Sequence, residues 1–252
     1  MVVHGGIDGY SRLVTFLKVS TNNRSETVLH SFKQSTARYG IPSRVRMDDG
    51  VENRGVEAFM IAQRGTGRGS AIKGPSVHNQ RIERLWVDVW QNVNSRYHTL
   101  FHFMERHEVL SVVNNIHMFA LHYTFLPMIQ KQLDLFCDQY NNHKLSTESS
   151  YTPTQLWVSG SLEHYNTSST SMSGILHEDL QTYGIDDLNN NDAPSTENGI
   201  AEGIVVEDIP CPLADFDMED MSLAINSLRD STDGTGLDVY LKVLQYVASH
   251  TL

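Results

Sequence analysis

SVHNQRIERLW, residues Ser76–Trp86, and VRMDDGVEN, residues Val45–Asn53, decide how this chain is read. The first segment sets Glu83 among Asn79, Arg81 and Arg84 on a predicted helix. The second sets Asp48 at the C-terminal end of a predicted strand in which Val45 and Met47 share a face. The two carboxylates stand 35 positions apart (83 against 48). Carboxylates that converge from different elements can hold the divalent cations used in phosphoryl transfer. Each also has an ordinary reading. Asp48-Asp49-Gly50 is a common turn former, and Glu83 could be a solvated helix residue paired with Arg84.

Outward from these segments the pattern is mixed α/β. Val2–Ile7 and Leu13–Val19 read as strands of a hairpin across the turn-rich Asp8-Gly9-Tyr10-Ser11. A helix follows with Ser25 as its expected N-cap and Val28, Leu29, Phe32 and Tyr39 at helical spacing. Gly40 and Pro42 end it. Residues 44–47 form a short strand, 55–63 a short helix and 70–73 another strand. A long helix begins near His78 and runs through Trp86 and Trp90. Residues 112–140 are again helical, with Pro127 as an expected kink or break.

The net charge of −11 weighs against nucleic acid when taken over the whole chain. Its distribution changes that. Residues 1–164 carry 17 Lys and Arg against 14 Asp and Glu, whereas residues 165–252 carry 2 against 16. The front part is mildly basic and compatible with a phosphate-contacting surface. The acidity belongs to the tail. The sequence therefore divides into a domain over 1–164 and an acidic, largely disordered tail over 165–252. Leu237–Val247 is a possible short amphipathic helix in that tail, and the acidic stretch could bind protein partners. Two cysteines, Cys137 and Cys211, give neither a disulfide framework nor a cysteine zinc module. No secretory signal or membrane-length apolar run is evident, so a nuclear or cytoplasmic location is expected.

HGGIDGYSR, VRMDDGVEN, GPSVHNQRIERLW, FALHYTFLP and YNNHKLSTESSYTPTQLW, spread over residues 2–158, resemble the integrase core domain of the retroviral integrase and transposase superfamily. HNQRIERLW and the YN-x-H…TP-x-x-LW ending are the most specific of them. The resemblance implies a ribonuclease-H-like fold, with a five-stranded mixed sheet, helices on both faces and three acidic ligands for Mg²⁺ or Mn²⁺. It assigns Asp48 and Glu83 to two of those ligand roles. By the same analogy His78, Asn79, Arg81, Arg84 and Lys73 would contact DNA, and self-association is expected.

Asp8 is the tempting third ligand. The implied fold needs three strands before its first helix, and only two fit before Ser25, so Asp8 is expected to be a turn residue. The reading is then of an integrase core whose sheet is truncated at its N-terminal side, incomplete as a catalyst alone. The alternative is a domesticated, non-catalytic module that binds DNA or protein. Weaker features point nowhere specific. RGTGRGS lacks the ending of a phosphate-binding P-loop. His98 and His102 form an i, i+4 pair without the glutamate of an H-E-x-x-H helix, and read as surface or packing residues. Trp86, Trp90, Phe101, Phe103 and Phe119 read as core.

Overall fold

The computed structural model describes residues 1–75, 79–164, 209–229 and 235–250. Strand β1 (Val2–Ile7) pairs antiparallel with β2 (Val14–Ser20), Val2 opposite Ser20 and Gly6 opposite Phe16, with the register slipping between Gly6 and Ile7. The turn between them is held by one oxygen of Asp8. It accepts hydrogen bonds from the backbone N–H groups of Tyr10 (3.2 Å) and Ser11 (2.7 Å) and from the Ser11 hydroxyl (2.7 Å). Asp8 is thus a turn residue, one of its two carboxylate oxygens holding the turn.

The edge of β2 that β1 leaves open is covered by a helix. Helix α5 (Asn115–Asn142) runs along it. The Asn141 side chain accepts from Val14 N–H (2.8 Å) and donates to Val14 C=O (2.9 Å). Gln130 accepts from Val19 N–H (3.1 Å) and donates to Leu17 C=O (3.0 Å). Two side-chain amides do the work of a neighbouring strand. The spacing matches. Eleven residues of helix rise about 16 Å, and the five steps from Val14 to Val19 span about 17 Å. Helix α5 is unbroken through Pro127, so the expected break is not present. It starts where the Asn114 side chain accepts from Ile116 N–H at 2.9 Å.

Helix α3 (Gln80–Val89) continues through one π turn, Trp90–Asn94, into α4 (Ser95–Arg106). The π turn has a geometric reason. Leu85, Val89, Val93 and Tyr97 are all buried and recur at every fourth residue. In an α-helix that spacing overshoots each turn by about 40°, so the stripe would wind away from the core. One wider turn takes up the drift. On β1, Gly5 makes room for α3: a Cβ there would lie 2.8 Å from both the Trp86 ring and Leu17. Trp90 and Phe103, read as core, are instead 47% and 49% exposed.

A second, smaller apolar cluster joins α1 (Ser25–Tyr39), β3 (Val45–Met47), α2 (Arg54–Arg64) and β4 (Ala71–Lys73) around Val28, Met47, Val56 and Met60. Strands β3 and β4 are parallel, Val45 opposite Ala71. Ser25 does not cap α1. Its hydroxyl accepts from Gly55 N–H at 2.7 Å and so fastens α2 to the start of α1. Arg64 binds the carbonyls of Ile41 and Pro42, and Arg68 the Ser43 hydroxyl. The arginines of RGTGRGS therefore hold the α1–β3 loop. Among the described residues the four strands form two separate two-stranded sheets, not the five-stranded mixed sheet that the resemblance implied. The hairpin and β3 do not pair directly.

The acidic end is helical over much of the part that is described. Much of 165–252 lies outside the described residues. Within it, however, α7 (Asp215–Arg229) and α8 (Leu237–His250) are helices that dock on the main core. The α8 helix was anticipated. The α7 helix begins within VEDIPCPLADFDMEDMSL, residues 206–223 of the tail expected to be largely disordered, and runs beyond it. Leu213, Met221, Ile225, Val239, Tyr240, Val243 and Val247 are buried with Phe125 and Leu121 of α5. Gly236, with φ of +78°, sits so close to α5 that a Cβ would lie 2.7 Å from the Met128 sulfur. The Tyr240 hydroxyl donates to Val109 C=O at 3.1 Å.

Replacing Asn141 by Ala leaves both backbone groups of Val14 without partners. It should cost about 1–3 kcal/mol of stability. The neighbouring Asn142→Ala removes only an exposed bond to Asp138 C=O and should cost far less. Paired denaturant melts of the two variants check the difference.

Candidate functional site

Asp48 is the first residue beyond β3, and its position follows from the second apolar cluster, which buries Met47 and fixes the strand end. A short 3₁₀ turn, Val51–Asn53, doubles the chain back. This brings the Asn53 side-chain amide to donate to Asp48 Oδ1 at 2.6 Å. Gly50 is the other fixed point. The Glu52 carboxylate folds over it, and a Cβ there would run into that side chain. Glu52 is thereby turned back on its own loop, and Asp49 is exposed.

Glu83 comes from the main core. It lies in the first turn of α3, its N–H bonded to Asn79 C=O at 3.0 Å. Buried Leu85 and Val89, with Ile82 and Trp86 against the core, orient that helix. The Glu83 carboxyl is at the surface, yet its pKa is raised, first by partial desolvation and then by the negative charge of Asp48. The two carboxylates singled out in the sequence are thus close enough for the charge of Asp48 to act on Glu83. They arrive from two different apolar clusters, and the site straddles the junction between them.

The other expected contacts are placed less simply. Lys73 ends β4 beside Met47 and is ion-paired to Glu57 of α2 at 2.6 Å. Arg84 is 67% exposed and pairs with Asp88 one turn on, at 3.0 Å. Asn79 occupies the N-cap position of α3 without a side-chain capping bond. Arg81 is half-buried on the first turn, and His78 lies outside the described residues. Sequence reading missed Asn53. The signal was available, because an amide five residues past the carboxylate of a tight turn can reach back to it.

Two carboxylate oxygen donors suit Mg²⁺ or Mn²⁺, which prefer hard ligands. The mutual repulsion of Asp48 and Glu83 is what a cation would relieve. Among the described residues no group of three His, Cys, Asp or Glu side chains is placed to hold a metal. The donor set fits such an ion in kind and is one carboxylate short of the implied triad.

A raised carboxyl pKa means that the folded state holds the Glu83 proton more tightly than the unfolded chain does. Without metal, stability should then fall as pH rises from the usual glutamate value through the raised one. Glu83→Gln removes that fall. The variant should be at least as stable as the parent at pH 7, with the advantage gone below the usual glutamate pKa, in thermal melts across that range.

A family model described as an integrase core domain matches residues 1–171, two thirds of the chain. The match takes in the β1–β2 hairpin, Asp48, Glu83 and all of α5 and α6 (Pro153–His164). No curated protein and no solved structure matches the chain significantly. With both carboxylates and the helix that closes the sheet edge inside the matched span, the chain belongs to the integrase core domain family.

Proposed function

We propose that this chain is an integrase- or transposase-like core that acts on DNA ends, with Asp48 and Glu83 as ligands for Mg²⁺ or Mn²⁺. What supports the reading is the placement of Asp48 just beyond β3 and of Glu83 in the first turn of α3, with the charge of Asp48 the second cause, after desolvation, of the raised Glu83 pKa. Membership of the family supports it. Bound divalent ions would supply activation of the attacking oxygen and stabilisation of the leaving one. The chain's own residues do the positioning. The strand end and Asn53 hold Asp48, and the α3 stripe holds Glu83. Ribonuclease-H-like architecture belongs to the same proposal, as do self-association and a nuclear or cytoplasmic place of action. Among the described residues no helix is long and apolar enough to cross a membrane.

Two carboxylates are fewer than the reaction uses, so the chain alone should perform little or no strand transfer. A third carboxylate would have to come from outside the described residues. The second reading, a non-catalytic DNA-binding module, is favoured by that shortfall and by the basic balance of residues 1–164.

Mn²⁺ titration separates the readings. Under the catalytic reading Mn²⁺ raises the melting temperature, and both Asp48→Asn and Glu83→Gln abolish the rise. Under the module reading Mn²⁺ has no such effect, while DNA binding survives Glu83→Gln and weakens steeply with salt. Efficient Mg²⁺-dependent joining of oligonucleotide ends by the 252-residue chain, lost in Glu83→Ala, would show that two described carboxylates suffice.

A further inference from the structure

Helix α4 carries a pair of side chains that neither the integrase reading nor the core uses. His98 and His102 are exposed and stand one turn apart. Their Nε2 atoms are 3.1 Å from each other. The other ring nitrogen of His102, Nδ1, is 3.1 Å from Glu105 Oε2. On its other side the His98 ring meets the Trp90 indole edge to face, centroids 5.1 Å apart.

We propose that His98 and His102 form a two-histidine site for a divalent transition ion of the Zn²⁺, Ni²⁺ or Cu²⁺ class. Glu105 accepts the Nδ1 proton of His102. This fixes the tautomer in which His102 Nε2 carries a lone pair and holds the ring in place, as carboxylates behind metal-bound histidines do. The bite is right. With an imidazole–zinc bond of about 2.05 Å, nitrogens 3.1 Å apart subtend an angle of about 100° at the metal. That lies between the octahedral cis and tetrahedral angles. Imidazole pairs select borderline ions over Mg²⁺, so this site and the Asp48–Glu83 pair take different metals. The described residues supply no third ligand, and water completes the coordination.

The same nitrogens could instead share a proton, His98 donating to His102. A Zn²⁺ titration of the untagged full chain by calorimetry tells the two apart. The expected result is saturable binding that weakens at least tenfold in His98→Gln and in His102→Gln. Glu105→Gln should weaken it by about tenfold, the usual cost of losing a carboxylate behind a ligand. Cu²⁺ should quench the fluorescence of Trp90, a response lost in Trp90→Phe and in the histidine variants. All these side chains are partly or fully exposed, and circular dichroism checks that each variant folds. Zn²⁺ affinity unchanged in either histidine variant, or no Trp90 response to Cu²⁺, overturns the proposal.

Discussion

The bonds of Gln130 and Asn141 to the backbone of β2 are the constraint on which the rest of the molecule leans. A two-stranded hairpin is marginal alone, and its open edge would expose unpaired backbone groups to other chains. Helix α5 pairs the groups at both ends of that edge and then serves as the beam of the main core. It carries β2 on one side and α8 on another. Anything that shifted α5 by a turn would unpair Val14 and Val19 together.

The same edge explains why sequence signatures far apart in the chain belong together. Asn141 lies in YNNH. Eleven residues on, Thr152-Pro153-Thr154-Gln155 opens α6 with a reciprocal capping box: Gln155 N–H donates to the Thr152 hydroxyl and Thr152 N–H to the Gln155 side chain. Thr154 bonds back to Asn141 C=O at 2.8 Å. Arg12, just past the turn that Asp8 holds, pairs with Glu148 and Thr147. Tyr10 packs on Gly160, and Trp157 on Tyr39 of α1. The YN-x-H…TP-x-x-LW ending and HGGIDGYSR are therefore largely occupied with tying α5, α6 and the hairpin turn to one another. Only Asp48 and Glu83 with their immediate neighbours are left facing a junction where chemistry could occur.

That junction follows from having two apolar clusters. Strand β3 and its Asp48 are set by Val28, Met47, Val56 and Met60. Glu83 is set by the α3 stripe and by Trp86 against Gly5. Two like charges held by separate cores cannot move apart as freely as two on one flexible loop, and the raised Glu83 pKa reflects desolvation first and that repulsion second. Lys73, at the end of β4, is ion-paired to Glu57.

The sequence by itself determined the local elements. Alternation in VTFLKVS, helical spacing in 25–39 and the apolar run of α5 each follow from periodicity, and the structure has strands and helices there. Asp48 and Glu83 were legible because one ends a strand and the other opens an amphipathic helix. The tertiary structure decided what depends on distant partners. Ser25 looks like a cap in sequence and is claimed by Gly55, thirty residues on. The arginines of RGTGRGS look like phosphate ligands and are spent on loop carbonyls and a hydroxyl. The run from Asp215 to Arg229 looks too acidic to fold. Its few apolar residues nevertheless pack against α8 in the main core, and burial there outweighs what local composition suggests. Strand pairing was decided the same way: composition does not say that an edge will be closed by two helix amides, because that depends on a rise per residue matched across more than a hundred positions of chain.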